Sequence, residues 1–147
     1  MMKGLNRAGG RTAIALLLAA LATAPALTQG GGKLSALARL EPGLWQLRNL
    51  EDKRVAPQSI CVADPTMLMQ VQHRNSPCSR LVVANDANNA TVHYTCPAGG
   101  FGRTSLRVET PRLAKIDTQG ISGNAPFAYR AEARRVGVCG TSASRGR

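Results

Sequence analysis

The chain is poor in the residues that most often carry chemistry or grip nucleic acid. Its 147 residues include two histidines, two tyrosines, two phenylalanines and one tryptophan. So few rings leave no stacking platform for a single nucleic-acid strand, and no specific nucleic-acid binding is expected. Acidic residues are scarce too, eight against nineteen lysines and arginines, for a net charge of +11. No cysteine precedes Cys61 and no two form a C-x-x-C pair, so zinc ligation lacks its usual spacing. The glycine-rich stretch 99–102, followed by Arg103, lacks the spacing and the lysine of a phosphate loop and reads as a turn. The longest apolar run, 13–22, is about half the roughly 20 residues a membrane span requires, so no transmembrane segment is expected in the mature form.

What is present begins with a leader. Lys3, Arg7 and Arg11 precede the apolar run and Ala24-Pro25-Ala26 follows it, which predicts a cleaved signal peptide over 1–26 and a periplasmic or extracellular protein. Losing those three basic residues lowers the net charge from +11 to +8. Because the remaining arginines are scattered between strands rather than massed, the charge reads first as a compositional bias toward arginine. An anionic envelope surface, lipid headgroups or polyanions, is the alternative partner, met by Arg48, Arg107, Arg130 and Arg134.

Cys61, Cys78, Cys96 and Cys139 make an even count in a small exported domain, which predicts two disulfides. Four cysteines allow three pairings. The segment 78–96 is two alternating apolar runs about Asn85-Asp86-Ala87-Asn88-Asn89, a β-hairpin pattern. A turn centred on Ala87 pairs Cys78 with Cys96, Arg80 with Tyr94, Val82 with Val92 and Ala84 with Ala90, all eight on one face. This favours a Cys78–Cys96 bridge and leaves Cys61 for Cys139.

Residues 27–41 read as a flexible N-terminal linker, within which Leu34, Leu37 and Leu40 mark a short amphipathic helical turn ended by Pro42. Strands follow over 43–50 and 57–62. Asp64 then caps a helix with Pro65 at its first position and Met67, Leu68 and Val71 on its apolar face, ending near His73. There the imidazole suits the helix dipole. His93, opposite in parity to Tyr94, faces solvent. After the hairpin come strands over 103–109 and 113–117 and a turn over 119–124. A last strand has Phe127, Tyr129, Ala131 and Ala133 inward and a bulge at Arg134-Arg135 that moves the apolar set to Val136 and Val138.

The fold class expected is mainly β. One antiparallel meander of about seven strands forms a small barrel or half-barrel over 42–139, with one short helix after the second strand and a disordered basic tail at 140–147. No catalytic residue, cofactor or metal site emerges. Paired cysteines leave no thiol nucleophile, and Asp64, Asp86, Asp117 and Glu132 are explained by a cap, two turns and an exposed strand position.

Together, Pro42-Gly43-Leu44-Trp45-Gln46-Leu47, Cys61-Val62-Ala63-Asp64-Pro65, the 78–96 hairpin, the glycines of 99–102 and Arg134-Arg135-Val136-Gly137-Val138-Cys139 resemble the bacterial domain of unknown function family 3617. The likeness spans about 41–139. It implies a small exported protein with four cysteines in this order and no assigned activity. The chain departs from that pattern after the first strand, where charged Glu51 to Arg54 replace a methionine-rich turn. The function expected is a non-enzymatic binding or interaction module that takes a small apolar ligand or an envelope component.

Overall fold

Apolar and polar residues alternate in seven strands: β1 (Gly43–Asn49), β2 (Gln58–Val62), β3 (Ser79–Asn85), β4 (Asn89–Thr95), β5 (Phe101–Thr110), β6 (Leu113–Ser122) and β7 (Ala125–Gly137). The computed structural model describes residues 32–97 and 99–140. The expected signal peptide, residues 27–31 and the tail from 141 onward lie outside the described residues. All pairings are antiparallel within one sheet of order β2-β1-β7-β6-β5-β4-β3. The meander is thus rotated, because the first strand pairs with the last. The sheet does not close into a barrel: β2 and β3 are both edges. It does curl, since Ile60 and Val62 near one edge share a single core with Val92 and Tyr94 near the other.

Three extra residues disrupt the ladders and sharpen that curl. Val83 bulges from β3, so Ala84 pairs with Thr91 rather than with Ala90, and Ala90 meets Asn85. The expected register therefore holds from Ser79 to Val82 and slips by one toward the tip. Glu109 bulges from β5. In β7 the extra residue is Val136, opposite the Leu44–Trp45 step, one position beyond the expected bulge. That bulge does not bring Val136 and Val138 inward; both are exposed. The expected turn over 119–124 is also shorter. β6 continues to Ser122, and only Gly123 and Asn124, with φ of 55° and 63°, turn the chain. Two consecutive left-handed residues suit a tight hairpin turn. Gly120 sits inside the strand because a Cβ there would fall 2.1 Å from the Phe101 carbonyl oxygen.

The concave face carries the core. Trp45, Val92, Tyr94, Leu106 and Ile116 are buried on it, and Trp45 Nε1 donates to the Glu41 carbonyl at 3.0 Å. A 3-10 helix, Pro65–His73, links the two sheet edges and packs on this face. Its start is the expected one, with Asp64 accepting from Thr66 N–H at 2.9 Å and Pro65 in the first turn. Its phase is not. A break at Gln70 (φ −140°, ψ 45°) buries Leu68, Met69, Gln70 and Val71, while Met67 is half-buried.

The segment expected to be a linker belongs to the domain from Leu34 onward. Leu34, Ala36, Leu37 and Leu40 are buried, with a short 3-10 turn at Leu37–Arg39. Their apolar area offsets the chain entropy that ordering costs. Glu41 fastens the end of the segment, accepting from Arg112 Nε at 2.9 Å while its own N–H donates to the Pro111 carbonyl.

Two disulfides complete the frame: Cys78–Cys96 across the mouth of the β3–β4 hairpin, and Cys61–Cys139 between β2 and the residues that follow β7. The second crosses the start of β1 at Gly43. With φ of 148°, Gly43 has no room for a side chain, since a Cβ would lie 2.5 Å from the Gly137 carbonyl oxygen. Two disulfides suggest an oxidising, non-cytoplasmic compartment.

Candidate functional site

The concave interior is filled by side chains, and clefts that could take a ligand lie outside it, over the middle strands and beside the edge strand β3. A cleft of about 500 Å³ lies between the N-terminal segment, the start of the 65–73 helix and the β3–β4 hairpin. Leu34, Leu37, Leu40, Val82 and Val92 give it apolar walls, and Lys33, Asp64 and Arg80 bring charge to it. Its size falls within the range of small-molecule sites, roughly 300–1,000 Å³.

Each wall has a local cause. Val82 and Val92 are cross-strand partners and so share a face. Arg80 pairs with Tyr94 two residues earlier, which puts it on that same inward face. Being on the edge strand, it can emerge at the opening rather than being entombed. Its Nε donates to Gln70 Oε1 at 3.0 Å. Gln70 is buried, and its Nε2 donates to the carbonyls of His73 at 3.1 Å and Ser76 at 2.9 Å. Both amide hydrogens and one lone pair of the oxygen are thereby engaged, and the amide holds the arginine in a defined direction. The helix-capping contact of Asp64 with Thr66 N–H occupies one oxygen of the one carboxylate that lines the cleft among the described residues.

A second polar cluster lies deeper. Tyr94 lies against Gly102, where a Cβ would stand 2.5 Å from its hydroxyl, and that hydroxyl is 3.2 Å from His73 Nδ1. His73 Nε2 is buried without a hydrogen-bond partner among the described residues and packs against Gly100. Phe127 and Tyr129 continue the cluster, with ring centroids 6.0 Å from His73 to Phe127 and 6.3 Å from Phe127 to Tyr129. Burial pushes the Tyr94 phenol up to about 12, with the nearby Tyr129 adding to the shift and a Thr118 hydrogen bond opposing it. The phenol therefore stays protonated at neutral pH, as a donor rather than a base. This arrangement packs and orients; it offers no reactive pair.

Of the residues singled out from sequence, the four cysteines are brought together in two pairs, and His93 is exposed on the convex face. Three of the four outward arginines carry ion pairs: Arg107 with Glu109, Arg130 with Glu51 at 3.0 Å, and Arg134 with Glu132 at 3.2 Å. His73 is not merely a helix-end charge, since its ring sits in the tyrosine cluster. Sequence reasoning missed the cleft cation, although a signal was present: by parity Arg80 lies on the apolar face of the hairpin, where an unneutralised arginine requires a reason. Nothing in the sequence marked Lys33 as a wall of the same cleft.

Comparison with protein-family models, curated proteins and solved structures finds no match to this chain.

Proposed function

We propose that this is an exported binding module of the bacterial envelope, periplasmic or secreted, that takes a small apolar ligand in the cleft beside β3. The observation that carries the reading is the apolar-walled cleft of about 500 Å³ beside the edge strand β3. Export rests on the basic-apolar-small leader and on two disulfides that fit an oxidising compartment. The resemblance to domain of unknown function family 3617 agrees with it. The alternative, a binder of anionic envelope surfaces through the convex arginines, is weaker because Glu109, Glu51 and Glu132 already neutralise three of the four.

The test is titration with the neutral apolar fluorophore Nile red, using purified protein with both disulfides formed. Saturable enhancement is expected, lost in Val82→Trp, which fills the cleft, and kept in Val55→Trp, which alters an exposed loop residue at the far end of the β1–β2 hairpin. Equal enhancement in both variants would sink the reading.

A further inference from the structure

Arg80 is a cation held in place without a counter-ion. All eight acidic residues of the chain lie among the described residues, and none comes within 4.0 Å of an Arg80 nitrogen. Lys33, across the same cleft, has no carboxylate within that distance either. A surface arginine without a partner is ordinarily of no consequence, because it swings freely in water. Arg80 differs in that Gln70, buried and with both amide hydrogens bound to backbone carbonyls, fixes its Nε edge. The two terminal nitrogens of the guanidinium stay available as a planar fork beside the apolar wall formed by Val82 and Val92.

We propose that the cleft takes a single-chain fatty carboxylate, with the alkyl chain against Leu34, Leu37, Val82 and Val92 and the carboxylate on the terminal nitrogens of Arg80. The inference rests on the cleft being a ligand site at all. The charges choose the headgroup. Lys33 and Arg80 against Asp64 leave one positive charge unmatched, which suits a monoanion, and the planar fork matches a carboxylate edge. A doubly charged phosphate would exceed that single unmatched charge. Arg80 acts here as a binding residue and Gln70 as a positioning one.

The experiment is displacement of Nile red from the purified, disulfide-bonded protein by laurate, dodecanol and dodecyl phosphate, which share one chain length and differ in headgroup. Laurate is expected to bind at least about tenfold tighter than dodecanol, and Arg80→Gln to weaken laurate about tenfold while leaving dodecanol unchanged. Arg80 is exposed, but its Nε contact serves buried Gln70, so unchanged dodecanol binding in Arg80→Gln is the control that the apolar walls survive the substitution. Equal affinities for laurate and dodecanol would overturn the headgroup assignment while leaving the apolar site standing. Tighter binding of dodecyl phosphate than of laurate would overturn the choice of carboxylate. If none of the three displaces the dye and the dye itself does not bind, the parent reading fails with it.

Discussion

Asn85 and Ser35, fifty residues apart, are joined as two strand residues would be: Asn85 Oδ1 accepts from the Ser35 backbone N–H at 2.8 Å, and Asn85 Nδ2 donates to the Lys33 carbonyl at 3.2 Å. The side chain at the hairpin tip thus satisfies both backbone groups of the N-terminal segment. Arg39 adds a contact to Asn88 Oδ1 and one to the Ala87 carbonyl. The tip, an irregular turn in which Asp86 accepts from Asn88 and Asn89 N–H, is the clasp that holds one wall of the cleft.

Replacing Asn85 by alanine should therefore cost about 1–2 kcal/mol, the usual net worth of two side-chain hydrogen bonds. Because Lys33 and Leu34 line the cleft, the same change should weaken Nile red binding, whereas an alanine at the exposed Asn75 should do neither. Chemical denaturation and dye titration on the two variants check this. Unchanged stability in Asn85→Ala would remove the clasp from the argument.

Gly102→Ala should be among the worst small substitutions in the domain. Its Cβ would stand 2.5 Å from the Tyr94 hydroxyl and 2.6 Å from the ring carbon that bears it, so the tyrosine must move. Overpacking of this kind costs typically 1–3 kcal/mol. Adding Tyr94→Phe should recover only part of the loss, since the ring carbon still clashes. Gly137→Ala, with nothing within 4 Å of the new atom, should be near neutral. Denaturant midpoints of the four proteins give the comparison.

Alkaline pH should destabilise the fold through its tyrosines. Burial raises both phenols, Tyr94 from 10.0 to about 12 and Tyr129 in the same direction, with Arg74 opposing the second shift. A raised folded-state value means that the stabilisation is whole below pH 10.0. It is lost as pH climbs toward 12, because the unfolded chain releases its protons first. Spectrophotometric titration should show no phenol ionising at the ordinary value in the folded protein and both doing so in denaturant. A normal titration in the folded state would contradict the burial of Tyr94.

Peptide mapping without reduction should recover Cys61 linked to Cys139 and Cys78 linked to Cys96. With separations of 78 and 18 residues, the chain-entropy treatment assigns about 4.5 kcal/mol to the first bridge and about 3 kcal/mol to the second. Removing the long-range pair by double alanine substitution should thus lower the denaturation midpoint more than removing the hairpin pair. The reverse order would mean that strain or residual structure, rather than loop closure, sets their worth.

The sequence by itself determined what depends on neighbours a few residues away. Period-two alternation marked out seven strands, and the inner half of the β3–β4 register followed from the positions of Arg80, Val82, Val92 and Tyr94. Asp64-Pro65-Thr66 announced a helix start because a cap and its N–H lie within one turn. Even so, local signals misled where a glycine or a leucine served a distant partner. Gly120 looked like a turn but admits the Phe101 backbone, and the leucines of 33–40 looked like part of a linker but bury themselves on the sheet.

Only the tertiary structure decided which strand β1 joins, that β2 and β3 remain edges, and that a cleft opens between the N-terminal segment and β3. These outcomes rest on pairs such as Leu47 with Ala133 and Ser35 with Asn85, separated by fifty residues or more. No pattern of apolar residues encodes such a pairing, because the same alternation fits several strand orders, and the choice among them is made by how volumes fill one shared core. The standing of Arg80 shows the division most clearly. Parity placed it on the inward face; the open edge, the buried Gln70 and the lack of an acidic side chain within 4.0 Å made it a cation waiting at an apolar cleft.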